Sequence, residues 1–372
     1  MIGFARKSPR LTRRIGRKTK GKVFVGLSGG VDSSVSAALL KKEGYDVQGV
    51  FIKIAIEGYP CPAAADRRSA MRAAAVLGIP FLELDLSKEY KEKVFDLSIK
   101  EFARGETPNP DALCNREIKF GLFFDFAMSR GADFVATGHY AQIKNGKLYA
   151  GEDGEKDQSY FLWAIPETHL KKILFPIGHM KKREVRARAT SFHLPQATRP
   201  DSQGLCFLGD ISIPDMLSKE LTPKSGDVLD ENGNMVGTHE GAVLYTLGQR
   251  HGFTLTENSE HTKPHFVIGK NIAKNTITIS TNKFPGKRKH TYIKLRECNW
   301  VGEVPKEQLE ARFRYRQTLI PVQVLNVGEV SNIELKEPHY APLGQSLVLY
   351  KEGRMLGGGV IDAIYWEDNV HH

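Results

Sequence analysis

Four cysteines, Cys61, Cys114, Cys206 and Cys298, are too few to staple a chain of 372 residues, which excludes a disulfide scaffold and points to a reducing compartment. No two of them form a Cys-x-x-Cys pair, so structural zinc is not expected and no metal-ligand set is assigned. No apolar run approaches the ~18 residues that span a bilayer, so a cytoplasmic protein without a membrane segment is expected. Acid is absent from the first twenty residues, where Arg6, Lys7, Arg10, Arg13, Arg14, Arg17, Lys18 and Lys20 stand, and these account for most of the net charge of +10. The rest of the chain is nearly neutral. Such an arm suits RNA binding, an organelle transit peptide or a solvated extension; its few serines and the motif that follows at once weigh against cleavage.

Two common phosphate loops are also missing, Gly-x-x-x-x-Gly-Lys-Ser/Thr and Gly-x-Gly-x-x-Gly. What stands in their place is Lys22-Val23-Phe24-Val25-Gly26-Leu27-Ser28-Gly29-Gly30-Val31-Asp32-Ser33-Ser34. A β-prone apolar run breaks at Ser-Gly-Gly and resumes as a helix, so backbone N–H groups and two hydroxyls converge at the positive end of a helix dipole. The loop resembles that of enzymes that split ATP into AMP and pyrophosphate, and adenine nucleotide is the expected ligand. The alternative is a plain strand, turn and helix with Gly and Ser as turn and cap residues.

From residue 22 to about 140, short apolar runs alternate with helix-length periodic ones. Strands are predicted at Val23–Leu27, Val47–Ile52, Phe81–Asp85 and Phe134–Thr137, and helices at Val31–Lys42, Ala64–Leu77, Glu89–Phe102 and Lys119–Ser129. This alternation argues for an α/β fold, a doubly wound parallel sheet with the loop at the carboxyl end of its first strand. A basic helix is predicted over Lys181–Thr190. Beyond Pro223, glycine and Asn/Asp turns punctuate short β-branched strands, among them Val322–Val327, Ile333–Leu335, Ser346–Leu349 and Gly357–Ile361. The expected division is a basic extension over 1–21, a catalytic domain over 22–210, a small, mainly β central domain over 211–290 and a β-barrel over 291–366.

Three further segments carry chemistry. Thr107-Pro108-Asn109-Pro110-Asp111-Ala112-Leu113-Cys114-Asn115 places a thiol near a predicted helix start, with Arg116 and Lys119 close by to favour thiolate and Asp111 as a candidate acid or base. Gly204-Leu205-Cys206-Phe207-Leu208-Gly209 places a second thiol on a predicted loop. Either cysteine could equally be a small buried hydrophobe. Ala136-Thr137-Gly138-His139-Tyr140 ends a predicted strand with a glycine for close approach and a histidine at the same sheet edge, and Lys156-Asp157-Gln158-Ser159-Tyr160-Phe161-Leu162 follows.

In that order, with Arg314-Tyr315-Arg316-Gln317 added, these segments resemble the tRNA-specific 2-thiouridylases over about 22 to 365. The resemblance implies ATP at Gly26, Leu27, Ser28, Gly29, Gly30, Val31, Asp32, Ser33 and Gly138, with the backbone near Ile52 flanking adenine and Mg2+ on the phosphates. It implies that Cys206 receives sulfur as a persulfide from a cysteine desulfurase or a sulfur relay protein, and that Cys114 assists, by a Cys114–Cys206 disulfide or by release of sulfide. It implies tRNA contact by Asn109, Pro110, Asp111, His139, Lys156, Asp157, Gln158, Arg314, Tyr315 and Gln345, and a monomer. Ile52 stands where the family commonly has Met, and Ser69 where it has an acid. Alternation along a predicted strand would further place Arg312, Arg314 and Arg316 on one phosphate-tracking face. Two rivals share the loop or the basic charge: an amidotransferase or ligase that adds nitrogen to an adenylated carbonyl, and a non-enzymatic RNA-binding protein that uses nucleotide as a switch. Neither requires the two cysteines.

Overall fold

The computed structural model describes residues 19–59, 63–201, 207, 211–256, 263–284 and 290–366. Strands β1 (Lys22–Gly26), β2 (Asp46–Lys53), β3 (Phe81–Asp85), β4 (Phe134–Ala136) and β7 (Ile173–Leu174) form one parallel sheet in the order β3-β2-β1-β4-β7. Central β1 and β2 read as near-continuous apolar runs because both of their faces are covered, whereas the edge strand β3 is only partly buried. Helices α1 (Val31–Lys42) and α2 (Ala63–Leu77) connect the first three strands. The chain then crosses to the other side of β1 to lay down β4. That reversal puts the switch point of the sheet between the loop after β1 and the loop after β4, where sheets of this kind bind ligands.

Two helical runs cover one face of the sheet. α3 spans 87–103 and α4 spans 110–129, and each contains a π-helical stretch, Lys91–Phe95 and Asn115–Leu122. The sequence-based start of α4 at Lys119 is therefore nine residues late: Asn109 caps the helix by accepting from the Ala112 N–H at 3.1 Å, and Pro110 occupies its first turn, where no N–H is required. α5 (Lys182–Ser191) packs against α1 on the opposite face, which makes the sheet doubly wound.

Helix α6 (Ile213–Leu221) contributes Met216 and Leu217 to the same buried cluster as Phe102 and Phe120. It leads into a five-stranded sheet of β8 (Gly226–Leu229), β9 (Met235–His239), β10 (Phe253–Leu255), β11 (Phe266–Asn271) and β12 (Thr276–Ser280). Last come β13 (Thr291–Trp300), β14 (Gln308–Arg312), β15 (Ile320–Asn326), β16 (Ser331–Leu335), β17 (Ser346–Lys351) and β18 (Arg354–Trp366). They run in the order β13-β16-β15-β14-β17-β18, and β18 pairs back to β13, which closes a six-stranded barrel and leaves no free edge among them. A hairpin of the first domain, β5 (Ala141–Lys144) and β6 (Lys147–Ala150), joins that barrel wall through the Tyr149–Arg354 pairing. Among the described residues no helix is long and apolar enough to cross a membrane.

The arginine row departs from expectation. β14 ends at Arg312, whose side chain is buried, and the chain turns at once, with Arg316 at φ +61°. Arg312 forms an ion pair with buried Asp157 and donates to the Tyr350 hydroxyl at 3.1 Å. Arg314 and Arg316 stay on the surface, donating to backbone carbonyls of Leu247 and Glu155. The three therefore share no face; a buried carboxylate across the domain seam captures the first.

Candidate active site

The loop after β1 turns at Gly29, φ +79°, where an added Cβ would collide with the Asp66 carbonyl oxygen. The Gly29 carbonyl accepts from Arg199 Nη1 and from Ser69 Oγ, each at 2.8 Å, and Arg199 also pairs with Asp66. Ser69, where relatives were expected to carry an acid, thus serves as a neutral tie that Gln196 supports through a 3.0 Å bond. Gly30 begins α1 without a side-chain cap. Among the described residues, the Ser28 and Gly30 amides donate to the hydroxyls of Ser33 and Ser28, at 3.2 and 3.3 Å. Across the switch point, a Cβ at Gly138 would lie 2.6 Å from the Ser33 amide nitrogen, so only glycine lets the β4 loop approach the start of α1 this closely. Gly26 ends β1, Leu27 follows it and Val31 starts α1, while Ile52 faces the core from β2.

His139 follows Gly138 and is buried. Burial, reinforced by the nearby Lys119 ammonium, pushes its pKa well below 6.5 and keeps the ring neutral. Lys119 Nζ lies 3.4 Å from Nε2 and donates to it, so Nδ1 carries the proton and donates to Thr137 Oγ1 at 2.6 Å. The Lys119 ammonium also lies 5.8 Å from the centre of the Phe207 ring, which meets Tyr90 of α3 edge-on at 6.0 Å. Lys119 is on α4, five residues after Cys114, whose side chain is fully buried at the junction of the α and π stretches. π-helical turns of this kind recur at functional sites. Cys206 lies outside the described residues, as do Cys61 and the arm up to residue 18; Phe207, its neighbour in sequence, is beside Lys119.

The residues singled out for RNA divide into two groups. Asn109, Asp157 and Gln345 lie in the seam between the first domain and the barrel. Asn109 donates to Ser346 Oγ at 3.1 Å, Asp157 holds Arg312, and Gln345 accepts from the Tyr160 hydroxyl at 2.9 Å. Gln158 accepts from the Tyr140 amide at 3.0 Å, and Lys156 reaches Asp201 at 2.7 Å. Pro110 and Asp111 form the partly exposed first turn of α4, Tyr315 leans on Phe161 with ring centres 4.7 Å apart, and Arg314 is exposed.

Sequence reading missed a charged cluster behind the loop. Lys182, at the first turn of α5, reaches both carboxylate oxygens of Asp32 at 2.9 and 2.8 Å and Asp201 Oδ1 at 2.8 Å. Tyr140 donates to Asp32 Oδ1 at 2.8 Å, and burial followed by the Asp32 charge pushes its phenol pKa up. Burial would raise the Asp201 pKa, but hydrogen bonds from Lys156 and Lys182 prevail and hold it at about 2. A basic residue at the start of a basic helix carries no local signal, because its partners are 150 positions upstream and 19 downstream.

Residues 21–210 match the family described as the tRNA methyl transferase HUP domain, 214–281 its PRC-barrel domain and 290–361 the aminomethyltransferase β-barrel domain. The chain is 41% identical over 364 residues to the tRNA-specific 2-thiouridylase MnmA of Enterococcus faecalis, covering 94% of this chain and 97% of that protein. It is 42% identical over 359 residues to tRNA-specific 2-thiouridylase MnmA 2 of Aliarcobacter butzleri, covering 91% and 98%. A 4-thiouridine synthetase in complex with RNA and ATP superposes with a TM-score of 0.34 and 20% identity, over 54% of this chain and 49% of that one, too loosely to inform the site.

Proposed function

The chain belongs to the tRNA-specific 2-thiouridylase family, tRNA-thiolating enzymes, and from that premise we propose that it replaces the C2 oxygen of a tRNA wobble uridine with sulfur in a reaction that consumes ATP. The loop residues suit a polyphosphate. α1 starts without a side-chain cap, and the Ser28 and Gly30 amides make long bonds to hydroxyls, which an anionic oxygen displaces. Gly26 to Ser33 and Gly138 would hold the nucleotide, with the backbone near Ile52 flanking the base. Among the described residues no three His, Cys, Asp or Glu side chains converge as a metal site, so Mg2+ would arrive with the phosphates, as that ion commonly does. Bound there, ATP supplies adenylation of the C2 oxygen, which turns a poor leaving group into AMP and frees pyrophosphate.

The thiols perform the second half. Cys206 takes sulfur as a persulfide from a cysteine desulfurase or a sulfur relay protein, and the terminal sulfur bonds to C2 as the C2–O bond to AMP breaks. The Cys114 thiolate then attacks Sγ of Cys206; the Cys206–sulfur bond breaks, 2-thiouridine leaves, and a Cys114–Cys206 disulfide remains for an external thiol reductant to reopen. Asp111, one turn before Cys114 on α4, would be the acid or base that takes the thiol proton. His139, its ring nitrogens held by Lys119 and Thr137, would present the base with an uncharged ring. Pro110, Asp111, Lys156, Gln158, Arg314 and Tyr315 would contact tRNA, and Asn109, Asp157 and Gln345 would support them from the seam, in a monomer acting in the cytoplasm.

The observation that carries this reading is the meeting of Phe207, Lys119 and His139 on the face of α4 that follows Cys114, at the same sheet edge as the Ser-Gly-Gly loop. The test is a mercury-gel assay of unmodified tRNA with protein, ATP, Mg2+ and sulfide. An ATP-dependent retarded band is expected. With a persulfide donor in place of sulfide, Cys206→Ser should lose the band while still releasing AMP. No band, with intact tRNA and folded protein, would reject thiolation.

A further inference from the structure

The phosphate loop has no lysine of its own, yet an ammonium stands beside it. Lys182 is placed by its backbone: its N–H donates to Asp153 Oδ2 at 2.8 Å, which fixes the first turn of α5. Its side chain is only 13% exposed, although its carboxylate partners Asp32 and Asp201 are 29% and 23% exposed. Both Asp32 oxygens lie within 2.9 Å of Nζ, and Asp32 belongs to the first turn of α1, two residues after the uncapped Gly30. Asp201 is itself held by Lys156 and by Arg186, each at 2.7 Å, so one of the two anchors of Lys182 persists if the other is exchanged. The ring of Tyr140, 5.8 Å from Nζ, closes another side.

An ammonium has three donors on a flexible stem, and a carboxylate and a phosphate oxygen compete for it on equal terms of charge. A phosphate chain on the loop brings its negative charges beside the Asp32 carboxylate, two residues into α1 from Gly30, and so within reach of the ammonium that Asp32 holds. We propose that Lys182 is the polyphosphate-binding cation of the nucleotide site: its ammonium exchanges Asp32 for β- or γ-phosphate oxygens, while Asp201 keeps it oriented. The lysine that other phosphate loops carry within the motif is thus supplied from the start of α5. Discrimination of triphosphate from monophosphate resides in this residue, and the freed Asp32 carboxylate faces the same phosphates.

The assignment rests on the ATP reading above, and nucleotide binding by titration calorimetry separates the two. Wild type and Lys182→Met are each titrated with AMP and with α,β-methylene-ATP in Mg2+, and the folding of each is checked by its thermal midpoint. Loss of a charged hydrogen bond should weaken the triphosphate analogue by about tenfold or more while AMP binding stays within about twofold. Lys182→Arg, which keeps the charge, should recover most of the loss. A Lys182→Met protein that binds both nucleotides as wild type does, or weakens both equally, overturns the assignment. Wild type that binds neither nucleotide overturns the ATP reading, and the assignment with it. Should Lys182→Met fail to fold, Lys182→Gln in the same titration distinguishes the same outcomes.

Discussion

Two carboxylates singled out for the site, Asp32 and Asp157, are both paired with a basic residue distant in sequence, yet the pairs differ in kind. Asp157 and Arg312 are 5% and 9% exposed and lie in the seam between the sheet domain and the barrel, where Ser159, Tyr350 and the Gly151 amide satisfy the remaining polar atoms. Asp32 and Lys182 lie at the edge of a ligand loop and remain partly open to water. A buried, fully bonded pair cannot release a member without leaving a charge in low dielectric, so it acts as a fixed tie. A half-open pair can exchange partners at small cost, so it can serve a charged ligand.

Arg312→Ala should break the comparison most severely. It strands the Asp157 carboxylate, and a loss of about 3–5 kcal/mol of unfolding free energy is expected in urea melts; a loss below ~1 kcal/mol would show that the seam pair is not a tie. His139 comes next, through pH. Its pKa is depressed in the folded protein, so its contribution to stability is complete above 6.5 and is lost as pH falls below that value toward the folded pKa, by at most about 1.4 kcal/mol per pH unit. Melts between neutral and mildly acid pH should be less steeply pH-dependent in His139→Gln than in wild type, and equal slopes would contradict a neutral buried ring.

Asp32→Asn should cost under ~1 kcal/mol in the same urea melts. Its effect belongs to chemistry: tRNA-dependent pyrophosphate release should fall while the fold is kept, and unchanged release would remove Asp32 from the site. Arg314→Ala should be silent for stability, within about 0.5 kcal/mol. It should instead lower the dependence of tRNA binding on log salt by about one unit, as loss of a single phosphate contact would. If Arg314→Ala and Arg312→Ala behave alike, the distinction between exposed and captured arginines is wrong.

Local patterns were legible wherever a segment's role depends on its own backbone. The alternation of β1, α1, β2, α2 and β3 follows from apolar periodicity, and the loop at Gly29 follows from residue types that tolerate a positive φ. The start of α4 was missed although Asn109 and Pro110 are an N-cap and first-turn pair, because two prolines in three residues read as an extended entry. The arginine row was misread because alternation describes a strand only while the strand lasts, and β14 stops at Arg312.

By itself, then, the sequence determined the parallel-sheet order of events, the glycine loop that no larger residue could form, the two thiol segments and the family to which they belong. Tertiary structure alone decided which charges are available: Asp157 and Arg312 are withdrawn into the seam, Arg314 is left outside, and Lys182 is carried 150 positions along the chain to the loop that lacks a lysine. The physical reason is range. Backbone conformation is set by neighbours within a few residues, whereas the state of a charge is set by whatever dielectric and counter-charge the fold brings within a few ångströms.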